Sequence, residues 1–471
     1  MYFVLGCALL SAKPYGEVMR QVTAGLERAL AAVGWQVPAT TALTGVRRRV
    51  GERPLESVFR RLCSALSPGR APWSHVGGLL VVAVDGTTVA AYDSLANAAA
   101  FGKPGTRKKP RPATGVQAGN EPGRAPSHGA GQDGAANPQL RLVTLVACGT
   151  RALLDAAFGP VRGEQTGEQA LARALLGGLH PGMLLLAGKN FYGFGLWQAA
   201  AGTGAELLWR VKDSMHLPAA AELPDGSWLT RIPDPAAVRR RTVRNGCRRR
   251  RGSKLGPDTG PLPGITVRVI GYTLTVTGGD GTIRTERYRL ITTLTDCRAC
   301  PAGQLAACYA WRWAIETGYR ECKTYLRGPG RILRGQSPDP ARQELWAYLA
   351  IYQAVRVIIV RAAASAGMDP DRISFTAALN AAQRTMGPGR LDAALTATET
   401  EILSCLAPPR EGRVCPRAVH KPSSPYPSRH HHDGPISQYA SYTVTPTTPA
   451  RHTHNSTDQG RRPSRQPDNP P

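Results

Sequence analysis

Residues 305–329 read LAACYAWRWAIETGYRECKTYLRGP and contain Tyr309, Arg312, Glu316 and Lys323 in the pattern Y-x2-R-x3-E-x6-K. On a helix that advances about 100° per residue, these four fall at about 0°, 300°, 340° and 320°, within roughly 60° of one another along about 21 Å. One face therefore presents a single carboxylate flanked by two cations. Spacing alone reads as a surface salt-bridge ladder. The stretches around the segment bear on whether it is more than that.

Upstream, residues 77–89 (GGLLVVAVDGTTV) form a near-continuous apolar run closed by Asp85, the pattern of a strand buried on both faces. LRLVTLVACGT and ALLDAAFGP follow as two more strands, EQALARALLGGL as a helix closed by His180, Pro181 and Gly182, and MLLLAG as another buried strand. Strand, strand, helix, strand is an α/β arrangement. LLWRV, ITVRVIGYTLTVTG and TERYRLITTLTD then alternate with the two-residue period of strands, and helical spacing returns from about residue 302 to residue 405.

These shifts divide the chain into six parts. Residues 1–75 are a helical, DNA-contacting region with a basic stretch at Arg47, Arg48 and Arg49. Residues 76–205 are the first part of an α/β core, interrupted by a Gly, Pro and Lys-rich insert at 102–138 that reads as disordered. Residues 206–298 are β-rich, 299–375 complete the core with the signature helix, and 376–410 are C-terminal helices. A Pro, Ser, Thr and His-rich tail at 411–471 reads as disordered. The segment 346–368 is apolar but carries Gln353, Arg356 and Arg361, which fits a core helix better than a membrane span.

The 471 residues carry 59 Lys and Arg against 33 Asp and Glu, a formal net charge of +26. The tail holds only +4 of it, so a body carrying +22 attracts polyanions, DNA before small molecules. Codon usage in a GC-rich genome also enriches Arg, Gly, Ala and Pro without selection for binding. The densest positive stretch is 239–254, read as a loop, where Arg239, Arg240, Arg241, Arg244, Arg248, Arg249, Arg250, Arg251 and Lys254 occur with no acidic residue. The start MYFVLGCALLSAK lacks a basic leader and runs into a charged helical pattern, so a cytoplasmic, nucleoid-associated location with reduced cysteines is expected. Cys297, Cys300 and Cys308 lack the partners that complete a zinc site. Sparse aromatic residues argue against RNA.

The Y-x2-R-x3-E-x6-K segment resembles the signature of the DDE transposases of the insertion sequence 4 family. VVAVDGTTV with YDSLANAAAFGKPG is similar to that family's first catalytic block, QLRLVTLVACGTRALLDAAFGP to its paired strands, and PGMLLLAGKNFYGFGLW to its second block. The similarity runs in order from about residue 2 to about residue 420. It implies a ribonuclease-H-like core, a mixed sheet flanked by helices, with a β-rich insertion before the helix that carries the glutamate.

It also implies a site of two aspartates and one glutamate around Mg²⁺ or Mn²⁺, cutting double-stranded DNA at the element ends and joining it to target DNA, in a homodimer, with no membrane partner. Asp85 then matches the first aspartate and metal ligand, and Glu316 the glutamate and metal ligand. Tyr309, Arg312 and Lys323 match the signature positions, where the two cations contact terminal phosphates. Where the family carries the second aspartate, this sequence has Gly188, followed by Lys189 and Asn190. Asp155 and Glu164 are the nearest candidate substitutes. With a start inside the family's N-terminal helical domain and an altered tail, this is the pattern of a degenerate copy. The expectation is a cut-and-paste transposase with impaired catalysis; the alternative is an inactive DNA-binding protein that occupies element ends or inhibits an active relative. From the carboxylates alone, phosphatase or ribonuclease H chemistry also remains open.

Overall fold

The computed structural model describes residues 1–24, 26–64, 72–104, 137–163, 166–250, 257–277, 283–385, 391–407, 413–414, 438–439 and 441–447. In chain order the helices are α1 (Tyr2–Leu9), α2 (Tyr15–Val22), α3 (Glu27–Ala32), α4 (Thr40–Val50), α5 (Arg53–Ser64), α6 (Leu95–Phe101), α7 (Glu168–Ala174), α8 (Phe194–Ala201), α9 (Pro235–Arg250), α10 (Ala302–Tyr309), α11 (Trp313–Arg320), α12 (Pro338–Ser365), α13 (Phe375–Arg384) and α14 (Leu391–Ser404). The strands are β1 (His75–Val76), β2 (Leu79–Ala90), β3 (Gln139–Ala147), β4 (Leu153–Pro160), β5 (Met183–Ala187), β6 (Glu206–Arg210), β7 (Ala221–Glu222), β8 (Trp228–Pro233), β9 (Gly264–Thr277), β10 (Ile283–Thr292), β11 (Arg413–Val414), β12 (Gln438–Tyr439) and β13 (Ser441–Pro446).

One sheet organises the core, in the order β4-β3-β2-β5-β6-β10-β9-β8-β7. β2, β3 and β4 form an antiparallel meander, while β5 runs parallel to both β2 and β6. This mixed sheet flanked by helices is ribonuclease-H-like. The apolar run of β2 is buried on both faces because the pleat sends Leu80, Val82 and Val84 towards α7 and α8, and Val81 and Ala83 towards α10. Further along the α10 face, Val89, Leu140, Leu142 and Val146 meet α5 and α12. Asp85 points to this second face, between its two apolar clusters.

Helix α12 is long and apolar enough to cross a membrane by composition. In the fold it is the central core helix: Trp346, Leu349 and Ile359 pack under the sheet, and Gln353 and Arg356 are fully buried with them. The β-rich stretch continues the core sheet, because β10 pairs β6 on one edge and β9 on the other.

Three expectations need correction. Residues 239–250 are helix α9, not loop; Asp234 accepts a hydrogen bond from the Ala236 N–H at 2.9 Å, Pro235 opens the first turn, and Arg248, Arg249 and Arg250 sit where the helix dipole favours cations. Arg47 is not a DNA-facing cation: it is 5% exposed, bonded to Gln343 Oε1 (3.3 Å) and the Tyr15 hydroxyl, with Glu344 at 3.8 Å. The tail is not wholly disordered, since β13 pairs antiparallel with the far half of β9, Ser441 opposite Thr277 and Pro446 opposite Tyr272. Most of the 102–138 insert lies outside the described residues.

Candidate active site

The carboxyl-terminal half of β2 carries the site. The register Val84↔Ala187 brings β2 and β5 side by side to the last residue of β5, so the next positions, Asp85 and Gly188, adjoin where the two parallel strands diverge. The segment α10–α11 lies across this point. It is helical throughout but not uniform: Ala310–Arg312 tighten to a 3-10 turn and Glu321–Leu326 widen to a π turn.

Tyr309, Arg312 and Lys323 bond to β2 or to the end of β5, and Glu316 joins them through Arg312. Arg312 Nη1 lies 2.5 Å from Asp85 Oδ2 while its Nη2 lies 2.9 Å from Glu316 Oε1, so one guanidinium bridges the two carboxylates. Tyr309 donates to the carbonyl of Ala187 at 3.2 Å, beside Gly188. Lys323 Nζ donates to Thr87 Oγ1 at 3.1 Å and to the Thr88 carbonyl at 3.0 Å. Asp85 Oδ1 in turn accepts from the Gly86 N–H at 2.8 Å.

The electrostatics follow from this crowding. Burial works against the Arg312 charge, but Tyr309, Asp85 and Glu316 outweigh it and raise its pKa. Burial pushes the Tyr309 hydroxyl up to about 12. Burial, reinforced by Arg327, lowers the Lys323 ammonium. Its charge is thus held in a partly desolvated position, where a phosphate would be a stronger partner than water.

Tyr319 was not singled out from the sequence, yet it donates to the Asp85 carbonyl at 2.6 Å and lies 2.9 Å from Thr144 Oγ1. Ten residues after Tyr309 it falls at about 280° on the same helix, next to Arg312, which was the available signal. Of the carboxylates proposed as substitutes, Asp155 does not join the site. Asp155 is bonded to Arg60 at 2.7 Å and pairs with Leu145, which faces α7. Glu164 lies outside the described residues.

Metal fit is tested by the donors present. Among the described residues no group of three or more His, Cys, Asp or Glu is placed to hold a metal ion. Asp85 and Glu316 share one guanidinium, which offsets one of their two negative charges and occupies an oxygen of each, and Gly188 contributes no side-chain ligand. These residues do not fit a two-metal centre. The space for a further ligand exists, because a Cβ added at Gly188 would meet nothing within 4 Å.

The cation-rich signature residues around adjoining strand ends of this sheet agree with what the comparisons find. The family described as "Transposase DDE domain" matches residues 77–353, and "Insertion element 4 transposase N-terminal" matches residues 1–60. Transposase InsG for insertion sequence element IS4 of Escherichia coli (strain K12) is 26% identical over 399 residues, covering 83% of this chain and 78% of that protein. The piggyBac transposase in a synaptic complex with hairpin DNA gives a TM-score of 0.37 at 8% identity, over 68% of this chain and 57% of that one. Proteins with this domain are DNA-cleaving and strand-transferring enzymes that generally use divalent metal ions. On the strength of a match that spans more than half its length, the chain belongs to the DDE transposases of the insertion sequence 4 family.

Proposed function

We propose that this DDE transposase retains the DNA-contacting surface of its family but has lost most of its capacity for metal-dependent end cleavage and strand transfer. The observation that carries the reading is Gly188. It adjoins Asp85 at the strand ends, offers no ligand atom, and leaves two carboxylates bridged by Arg312 in place of three around Mg²⁺ or Mn²⁺. In this reading Asp85 and Glu316 are the remaining catalytic and metal-binding carboxylates, while Arg312 and Lys323 contact terminal phosphates. Duplex DNA is the partner, a homodimer the acting form, and the cytoplasm, at the nucleoid, its location.

A second reading, an inactive DNA-binding protein that occupies ends or inhibits an active relative, is favoured by α9. Arg239, Arg240, Arg244, Arg249 and Arg250 project from it into solvent, while Arg241 and Arg248 are half-buried. Arg251 and Lys254 lie outside the described residues. Such a set of exposed arginines supports sequence-independent phosphate binding whatever the state of the site.

The test is Mg²⁺-dependent cleavage of DNA carrying the element's ends by the protein as it stands and by Gly188→Asp. Cleavage by the substituted protein alone supports the reading. Equal cleavage by both overturns it, and cleavage by neither, with DNA binding intact, favours the second.

A further inference from the structure

Behind the signature segment, on the side away from β2, lies a set of buried charges that the site does not use. Glu321 is 2% exposed, Arg151 4% and Arg356 0%. Glu321 Oε1 accepts a hydrogen bond from Arg151 Nη1 at 3.0 Å, its Oε2 accepts one from Arg356 Nη2, and the Tyr352 hydroxyl lies 3.3 Å from that same oxygen. Arg151 also reaches Asp371 at 2.5 Å, and it does so from a left-handed backbone conformation, φ 54°, in the turn between β3 and β4. Two elements distant in sequence, the β3–β4 turn and α12, therefore converge on the Glu321 carboxylate, and Arg151 also ties in the 3-10 turn at Asp371.

Such a cluster adds little net stability. Desolvating each ion costs several kcal/mol, and apolar side chains of the same shape often serve a core as well. What the cluster supplies is geometry. Glu321 begins the π turn, and Lys323 is its third residue. A turn widened to i→i+5 advances each residue by less than the usual 100° or so, so a side chain leaves it in a direction that an α-helix would not give. That departure from α geometry, common at functional sites, has to be held by something.

We propose that Glu321 is a positioning residue. Tied to Arg151 and Arg356 on the α12 side, it holds the π turn so that Lys323 leaves the helix towards β2, where its ammonium binds Thr87 and Thr88 three residues beyond Asp85 at most. Gly318 cooperates, because α11 approaches Tyr352 so closely there that an added Cβ would lie 2.9 Å from the hydroxyl. The consequence for DNA rests on the reading of Lys323 as a phosphate contact; the positioning itself does not.

The experiment separates the two. In full-length protein carrying ¹³C-labelled lysine, the Lys323 signal is assigned by its loss in Lys323→Arg and followed in Glu321→Gln, which keeps the shape of the side chain and removes its charge. A shifted signal is expected, with its titration midpoint moved towards that of an exposed lysine. An unmoved signal in a folded Glu321→Gln protein overturns the proposal. Should that variant not fold, Arg356→Lys keeps the charge but removes the guanidinium whose Nη2 donates to Glu321, and must shift the same signal; if it does not, the proposal fails.

Duplex-DNA affinity is then measured in a double-mutant cycle. Glu321→Gln is expected to weaken binding about fivefold beside Lys323 and to have no effect in a Lys323→Ala background. Equal weakening in both backgrounds means that Glu321 acts on the fold generally and overturns the proposal. A shifted Lys323 signal with Lys323→Ala itself silent in DNA binding leaves the positioning intact and removes Lys323 from the DNA contacts.

Discussion

Arg312 holds Asp85 at 2.5 Å and, through its other terminal nitrogen, holds Glu316 as well, so a single guanidinium is shared between two carboxylates. Supplying a third carboxylate changes that balance. Gly188→Asp places one beside Asp85 in open space, so it should be accepted without strain and should tighten Mn²⁺ binding by about 10-fold or more. Electron paramagnetic resonance titration of free Mn²⁺ reads this without any reaction. Equal Mn²⁺ affinity in the two proteins would mean that residue 188 does not face the carboxylates.

The contact between Gly318 and Tyr352 makes a second, purely structural prediction. Gly318→Ala puts a methyl group 2.9 Å from the Tyr352 hydroxyl, a core position with little room to yield. The variant should lose about 1–3 kcal/mol in urea denaturation. Gly303→Ala, whose added Cβ meets nothing within 4 Å and which lies on α10, should lose none of this and serves as the control. A Gly318→Ala protein as stable as the parent would show that α11 and α12 do not pack this closely.

Much of this arrangement was legible in the sequence because it depends on local period. The run that became β2 and the face shared by Tyr309, Arg312, Glu316 and Lys323 follow from spacing, while Gly188 stood out only through the resemblance of PGMLLLAGKNFYGFGLW to the family's second block, whose aspartate it replaces. What spacing does not carry is the partner across the fold. Arg47 belongs to a basic run, and only the approach of Gln343 and Glu344 from α12 explains why it is buried. For the same reason Glu321 was not singled out. β13 finds its partner more than 160 residues away. The reading of α9 as loop was a different error: the stretch was taken as the connection between strands, while the Asp234 and Pro235 start signal and the cations at the dipole's negative end were already visible.

Helix α9 gives the third prediction. Replacing Arg239, Arg240, Arg244, Arg249 and Arg250 with Gln leaves a helix whose cap is untouched, so circular dichroism should change little. Arg240 and Arg244 each have an acid nearby, Asp234 at 3.7 Å and Asp258 at 3.0 Å, which weakens their share. Duplex-DNA affinity should fall, and the slope of log affinity against log salt should flatten by about 3 to 4. An unchanged slope would place the DNA elsewhere on the protein.

The last prediction concerns pH and the β-rich part of the sheet, where Asp225 faces Arg268, an arginine with no exposed surface. Partial burial works against the Asp225 charge, but hydrogen bonds from Ser227 and the Ala302 N–H, together with Arg268, hold its carboxyl below the usual carboxylate value. A carboxyl with a depressed folded-state value stabilises the protein fully above its unfolded value of about 4, and that contribution disappears as pH falls through the lower folded value. Asp225→Asn should therefore be less stable than the parent at neutral pH, by about 1–3 kcal/mol, since Arg268 keeps carbonyl acceptors at Cys300, Leu294 and Asp296 but loses its counter-charge. Below about pH 4 the parent should lose stability faster than the variant, so that the two denaturation curves converge. Curves that stay parallel from neutral pH into the acid range would mean that Asp225 is not charged against Arg268 in the folded protein.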